Sequence, residues 1–182
     1  MNYVQPIRDL EKLEEIKTIL KRQSFRNYFL FILGINTGLR ISDILKLRVS
    51  DVKGKTHIVI REEKTSKIKR FKINSSLTRE VEYYIKNMKT DDYLFPSRTG
   101  GNTKPISRVM AYNILSTAAH EAGVKEIGTH TLRKTFGYHF YQQYKDVAML
   151  QELFNHSAPS VTLRYIGISQ DEIDKSVDNF SL

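Results

Sequence analysis

Apolar residues recur at helical spacing along most of this chain, and that periodicity restricts the fold more than any other feature of the sequence. In residues 9–22 they fall on one helix face. A second, more apolar segment begins at Phe25 and ends at Gly38, since glycine readily adopts the left-handed conformation that closes helices. The later segments that we predict to be helical are 40–47, 76–88, 106–121, 130–144, 146–154 and 158–166.

The periodicity changes between residues 56 and 73. The stretch THIVIREE is rich in β-branched residues, IKRFKI alternates, and both flank the short sequence KTSK. This pattern is typical of a β-hairpin. The predicted fold class is therefore mainly α with a small antiparallel β-sheet (α+β). Because we find no internal repeat, linker or low-complexity tract, we expect residues 1–182 to form a single domain.

The last residues, 169–182, are predicted to form a C-terminal helix. Ser169 and Glu172 have the spacing of a capping box, and Ile173, Val177 and Phe180 fall on one apolar stripe. This stripe could dock on a neighbouring copy of the chain or pack on the chain's own core. The sequence leaves both alternatives open.

Several classes of protein are excluded by the composition. The longest apolar run, 28–35, is far shorter than the ~20 residues that span a bilayer. The N-terminal MNYVQPIRDL lacks an apolar signal core, and the absence of cysteine excludes disulfides and thiolate zinc sites. We find no HExxH, DxD or Walker motif, so we expect no metal and no cofactor. These observations favour a cytoplasmic location.

Charge gives the first positive indication of a partner. The chain has 29 Lys and Arg residues against 20 Asp and Glu, a net charge of +9 and a pI near 9.6. Residues 53–72 hold eight basic residues against two glutamates, whereas the segment after Ser169 is acidic. A basic face of this kind attracts polyanions, most commonly nucleic acid.

Cationic and phenolic groups that could do chemistry occur in three fragments. The residues are Arg40 and Asp43 in TGLRISDIL, His130 and Arg133 in HTLRKTF, and His156 and Tyr165 in NHSAPSVTLRY. Each fragment alone is a weak signal. Their value lies in their joint presence, in this order and with these flanking residues.

Together the fragments resemble the catalytic domain of the tyrosine recombinases, also called the phage integrase family. TGLRISDIL resembles the first arginine box, EKTSK the hairpin turn that carries the catalytic lysine, HTLRKTF the His-x-x-Arg box, and NHSAPSVTLRYIG the closing His-to-Tyr box. The resemblance runs over residues 6–168. Asn155 replaces a usual glycine and Lys134 a frequent histidine. We expect no N-terminal core-binding domain, as in the short fimbrial-switch invertases.

The resemblance implies a role for each group. Arg40 and Arg133 would grip the phosphate, assisted by His130 and His156, while Tyr165 attacks and forms a 3′-phosphotyrosine. The implied residues also include Lys64 as the donor to the leaving 5′ oxygen, and Asp43 is expected to orient Arg40. From the basic charge of the hairpin we expect Lys67, Lys69 and Arg70 to contact DNA, and Arg164, beside the nucleophile, to contact phosphate or remain solvated. Neither metal nor ATP is required, because the bond energy is retained. Guanidinium charge near Tyr165 should ease loss of its proton.

Each role has a structural alternative. Tyr165 could be a half-buried core residue, Arg40 an ion-pair partner of Asp43, and Lys64 part of a solvated hairpin edge. His130 could simply begin a helix and His156 could cap one.

The implied function is site-specific recombination of double-stranded DNA, with a homo-oligomer, a dimer or tetramer, forming on the DNA. Accessory DNA-bending or recombinase proteins and association with the nucleoid are further expectations. The alternatives are a type IB topoisomerase, a non-catalytic DNA-binding modulator of a full-length recombinase, and a ribonuclease that uses His130 and His156 as an acid–base pair.

Overall fold

Eight α-helices, two short 3-10 helices, a helical turn at 175–178 and one two-stranded sheet form the part of the chain that a computed structural model describes, residues 4–61, 68–100, 103–168 and 175–181. The helices are α1 (Leu10–Gln23), α2 (Phe25–Thr37), α3 (Ile41–Ile44), α4 (Ser75–Ile85), α5 (Arg108–Glu121), α6 (Thr131–Tyr144), α7 (Val147–Phe154) and α8 (Pro159–Ile166). The strands are β1 (His57–Arg61) and β2 (Ile68–Lys72). The predicted fold class is thus confirmed.

Helix α3 is shorter than the predicted 40–47 segment. The chain leaves the helix after Ile44 because residues 47 and 48 pair with another part of the molecule. Leu94 donates its backbone N–H to the Leu47 carbonyl at 2.8 Å, and Arg48 forms a β-bridge with Tyr93. An extended pairing of this kind is incompatible with continued helix, and the apolar periodicity alone did not reveal it.

Helix α2 lies at the centre of the larger core cluster, and most of its residues are buried. It begins at Ser24, whose hydroxyl accepts a hydrogen bond from the backbone of Asn27, and it passes very close to α6. A Cβ atom at Gly34 would lie 2.4 Å from Leu132 Cδ1 on α6, so only glycine fits there. This close approach fixes the end of α2 beside the start of α6.

The predicted β-hairpin is present as two antiparallel strands. Its register pairs His57 with Lys72 and continues to Arg61 opposite Ile68. Ile58 pairs with Phe71, and both are buried, which anchors the sheet to the main core. The turn between the strands, which includes Lys64 and Lys67, lies outside the described residues.

A second, smaller cluster joins α7 and α8 to α6. Its buried members are Leu150, Phe154, Ile166 and Ile168. A Cβ atom at Gly137 would lie 2.7 Å from Ile166 Cγ2 and 2.8 Å from Phe154 Cε2, so both helices contact the backbone of α6. The fragments that contain His156 and Tyr165 are thereby brought against the helix that carries Arg133.

As far as it is described, the C-terminal segment differs from one of the two packing alternatives, packing on the chain's own core. Val177 and Phe180 are 63% and 68% exposed, so neither packs on the chain's own core. Ser169, Glu172 and Ile173 lie outside the described residues. Within the described ranges, no helix combines the length and apolarity needed to cross a bilayer.

Candidate active site

A sharp turn at the end of α2 positions Arg40. Gly38 adopts φ 66°, and a Cβ atom there would lie 2.5 Å from the ring of Phe136, so the turn requires glycine. Arg40 is exposed and immediately precedes α3, with Asp43 in the first turn of that helix. The positive charge of Arg40 acts to lower the pKa values of His130, His156 and Tyr165. These residues lie just before α6, just before α8 and on α8.

Arg133 is almost completely buried, at 4% exposure. Its Nη1 donates to the Gly38 carbonyl at 2.6 Å and its Nη2 to the Phe154 carbonyl at 3.1 Å. The guanidinium also lies 4.1 Å from the centroid of the Phe154 ring. Arg133 therefore links the ends of α2 and α7 to α6, and its charge is held in a fixed orientation.

Aromatic and basic groups enclose the phenol of Tyr165. The hydroxyl lies 3.2 Å from His130 Nδ1, and the His156 ring centroid is 5.0 Å from that of the tyrosine. The Phe154 ring is 5.7 Å away at 74°, and Lys134 Nζ lies 5.1 Å from the centroid of the phenol ring. Sequence reasoning treated Lys134 only as a replacement and missed this contact.

Burial decides the net pKa of the phenol. It raises the pKa of Tyr165 above the usual value, while the charges of Arg133 and Arg40 and a hydrogen bond to Arg133 act in the opposite direction. Arg133 and Arg40 act in the direction predicted for guanidinium groups, because they lower the pKa of the phenol, but burial outweighs them and the pKa of Tyr165 is raised. In the DNA-free protein, the phenol is protonated at neutral pH.

Both imidazoles of the site are held in the neutral form. Burial, then the charges of Arg133, Lys134 and Arg40, lower the pKa of His130. Burial, then Arg133, Arg40 and Lys69, lower the pKa of His156. A neutral imidazole has one nitrogen that accepts a proton and one that donates it.

The tautomer of His156 depends on Thr162. His156 Nδ1 lies 3.0 Å from the hydroxyl of Thr162, a residue that is completely buried. Thr162 precedes Tyr165 by one helical turn, so both face the same side of α8. The sequence analysis missed Thr162, although that three-residue spacing was the available signal. Asn155, just before His156, has φ 56°, the left-handed conformation that asparagine tolerates.

The residues predicted to contact DNA differ in their surroundings. Arg70 and Arg164 are exposed. Lys69 instead donates to the carbonyls of Glu152 and Leu153, at 2.9 and 3.1 Å, at the end of α7. Contact of Lys69 with DNA stays a prediction; an ammonium has three N–H donors, so its two bonds to carbonyls do not exclude it. Lys64, predicted to be catalytic, and Lys67, predicted to contact DNA, lie outside the described residues.

Metal-ligand clusters are absent from the part of the chain that the structure describes. No group of three or more histidine, aspartate or glutamate side chains there is arranged to hold an ion. The described site brings together a phenol, two imidazoles, two guanidinium groups and the ammonium of Lys134.

A family model and the similar proteins of known sequence all indicate an integrase or recombinase. The model of the phage integrase family matches residues 8–172. A protein of Bacillus subtilis (strain 168) named probable integrase/recombinase YoeC is 57% identical over 172 residues, which cover 94% of this chain and 93% of that protein. The tyrosine recombinase XerA of Pyrococcus furiosus is 26% identical over 175 residues, covering 94% of this chain but 60% of that protein.

Solved structures share the fold. The crystal structure of XerA recombinase superposes with a TM-score of 0.79 at 17% identity, over 99% of this chain and 66% of that one. The XerH site-specific recombinase, in a pre-cleavage complex with its difH substrate, gives a TM-score of 0.72 at 19% identity, over 98% of this chain and 56% of that one. This chain thus spans a little over half the length of the XerH chain.

Proposed function

The chain belongs to the phage integrase family, the tyrosine recombinases, and from this premise we propose that it carries out site-specific recombination of double-stranded DNA with Tyr165 as its nucleophile. The proposal rests on the groups that lie around the Tyr165 hydroxyl. This hydroxyl lies 3.2 Å from a neutral imidazole, in hydrogen-bonding contact with Arg133 and within the field of Arg40.

The proposed step is a transesterification. The oxygen of Tyr165 attacks the phosphorus of the scissile phosphodiester, the bond from phosphorus to the 5′ oxygen breaks, and a 3′-phosphotyrosine forms. The departing oxygen takes a proton, for which we propose Lys64, and leaves as a 5′-hydroxyl. Because one phosphoester replaces another, a 5′-hydroxyl from a second strand can reverse the step without ATP and without a metal.

The proton of the phenol needs an acceptor, because burial raises the pKa of Tyr165. His130 Nδ1 is a nitrogen within hydrogen-bond reach of the hydroxyl, at 3.2 Å. Since the pKa of His130 is lowered, the ring is neutral at physiological pH and able to accept. We therefore assign His130 the role of general base, and the proton passes from the tyrosine oxygen to Nδ1.

Positive groups in fixed positions stabilise the negative charge of the phosphate during the transfer. A guanidinium has five N–H donors, and the two bonds of Arg133 to backbone carbonyls leave others directed elsewhere. Because those bonds hold the group before substrate arrives, no reorganisation is needed at the moment of reaction. Arg40, which is exposed, can grip the phosphate from the solvent side. In the tautomer with the Thr162 hydroxyl donating to Nδ1, His156 donates from Nε2.

Assembly of several protomers on DNA is the second part of the proposal. The exposed side chains of Val177 and Phe180 give the C-terminal segment an apolar surface that a neighbouring protomer can cover. We expect a chain truncated after Gly167 to bind DNA as a smaller complex than the full chain in gel filtration. Complexes of equal size would contradict docking by this segment.

Covalent capture tests the proposal. The substrate is a pool of nicked suicide duplexes with random sequence, so that every target sequence is sampled, and protein–DNA adducts are isolated in denaturant. We expect adducts with the natural chain, none with Tyr165→Phe, and undiminished adducts with Tyr112→Phe, a matched change at an exposed tyrosine of α5. Failure of the natural chain to form adducts would favour a non-catalytic DNA-binding module.

The same material separates the remaining alternatives. A type IB topoisomerase would relax a supercoiled plasmid that carries one captured site, without exchanging strands between two sites. A ribonuclease would keep its activity in Tyr165→Phe and would require a 2′-hydroxyl. We expect strand exchange between two sites, lost together with the adduct.

A further inference from the structure

Residues 4–8, which precede α1, contact two of the elements that carry the candidate site, α6 and α8; we call this segment the N-terminal strap. Ile7 is buried, its N–H donates to the Thr135 hydroxyl at 2.9 Å, and its carbonyl lies 2.9 Å from His139 Nε2. Thr135 and His139 are one turn apart on α6. The strap is therefore fixed along α6, the helix that begins beside His130 and carries Arg133.

Two charged side chains connect the strap to the surroundings of Tyr165. Lys134 Nζ donates to the carbonyl of Val4 at 2.8 Å while lying 5.1 Å from the centroid of the Tyr165 ring. Arg8 Nη2 donates to the carbonyl of Gly167 at 2.6 Å, and Gly167 closes α8 two residues after the tyrosine. One contact thus acts on the face of the phenol and the other on the end of its helix.

We propose that the N-terminal strap sets the position of the nucleophile, with Lys134 and Arg8 as positioning residues; the inference rests on the proposed function of Tyr165. When Val4 holds the ammonium of Lys134, that cation stays over the phenol ring and close to His130. When Arg8 holds the Gly167 carbonyl, α8 cannot shift along α6. Displacement of the strap would change the approach of the tyrosine to the phosphate without removing any group that touches DNA.

Gly128 offers a way to move the strap from outside the site. A Cβ atom at Gly128 would lie 2.4 Å from Val4 Cγ2, so Gly128→Ala pushes Val4 away from its place. Gly128 is absent from the residues with positive φ, so alanine is compatible with its backbone. The double variant Val4→Ala, Gly128→Ala removes both γ-methyl groups, which would lie 2.4 and 3.1 Å from the added atom, and restores the space.

The test measures single-turnover adduct formation on a captured nicked duplex as a function of DNA concentration. We expect Lys134→Met, Arg8→Met and Gly128→Ala each to lower the plateau rate about tenfold, since small misplacements of reacting groups are costly, with little change in the half-saturating concentration. The double variant should recover the natural rate. Lys145→Met and Arg22→Met are matched controls, because these side chains bond to Gln142 and Glu121 and not to the strap or to α8.

A measurement without DNA separates this inference from the proposed function. Arg8→Met should speed hydrogen exchange of the amides at the end of α8 and leave those of α5 unchanged. Unchanged plateau rates together with unchanged exchange would overturn the role of the strap, as would a slow Gly128→Ala that Val4→Ala does not restore. If the natural chain itself forms no adduct, the proposed function fails, and the exchange result still decides whether the strap holds α8.

Discussion

Replacing Thr162 with valine probes how His156 is held. The hydroxyl of Thr162 is completely buried and lies 3.0 Å from His156 Nδ1, so valine keeps the shape and removes only the hydrogen-bonding group. Loss of one such bond, with a ring nitrogen left unpaired, costs about 1–3 kcal/mol. We expect the free energy of unfolding of Thr162→Val to fall by that amount.

The effect on catalysis follows from the same bond. If loss of the bond raises the activation free energy by about 1.4 kcal/mol, adduct formation slows by roughly tenfold. Without the hydroxyl, His156 Nδ1 loses its partner at 3.0 Å, and that contact no longer fixes the orientation and tautomer of the ring. The assay is the plateau rate of adduct formation at saturating nicked DNA, alongside urea denaturation of the free protein.

The conservative control is Thr162→Ser, which keeps the hydroxyl and should retain most of the rate. A Thr162→Val protein that is less stable but reacts at the natural rate would refute the reasoning, because the bond would then support the fold and not the imidazole. Equal slowing in both variants would also refute it, since serine can still reach Nδ1.

Four further perturbations have defined outcomes. At subsaturating DNA, the adduct rate should fall on an acidic limb below the ordinary imidazole value of 6.5, because the pKa of His130 is lowered and only the neutral ring accepts a proton; a limb that persists in His130→Gln would exclude it as the base. Arg133→Lys cannot reproduce both carbonyl bonds, so urea denaturation should show a loss of about 1–3 kcal/mol, and natural stability would contradict the linking role. Arg70→Gln should lower the slope of log affinity against log salt by ~0.9 in anisotropy titrations if this exposed residue contacts one phosphate, and an unchanged slope would remove it from the interface. Gly137→Ala introduces a Cβ atom 2.7 Å from Ile166 Cγ2 and should lower the free energy of unfolding by about 1–3 kcal/mol in denaturant titrations; a variant as stable as the natural chain would show that α8 can shift to make room.

Local features of the fold could be read from the sequence because they depend on neighbouring residues. Ser24 and Gly38 bound α2, as the cap and turn preferences of serine and glycine require. Asn155, which replaces the usual glycine, takes the left-handed conformation that asparagine tolerates. The hairpin follows from the alternation of its strands. Where a distant segment intervened, as at Arg48 with Tyr93, the helical pattern predicted too long an α3.

The candidate site was predictable as a set of residues and not as an arrangement. Motif order selected Arg40, His130, Arg133, His156 and Tyr165, but it gave no distances between them. The contact of Lys69 with the end of α7 depends on packing between residues 83 positions apart in the chain. No local pattern encodes such a contact, so the sequence suggested only a basic hairpin edge.

What the sequence by itself determined is the chemistry available to this protein: the phenol, the imidazoles and the guanidinium groups, and the short-range turns that present them. The tertiary structure decided the pKa values of these groups and therefore their protonation. Burial of Tyr165 against Phe154 and α6 raises its pKa in spite of two nearby guanidinium charges. The reason is physical, since desolvation is a property of everything packed around a group, whereas a motif records only the residues beside it in the chain.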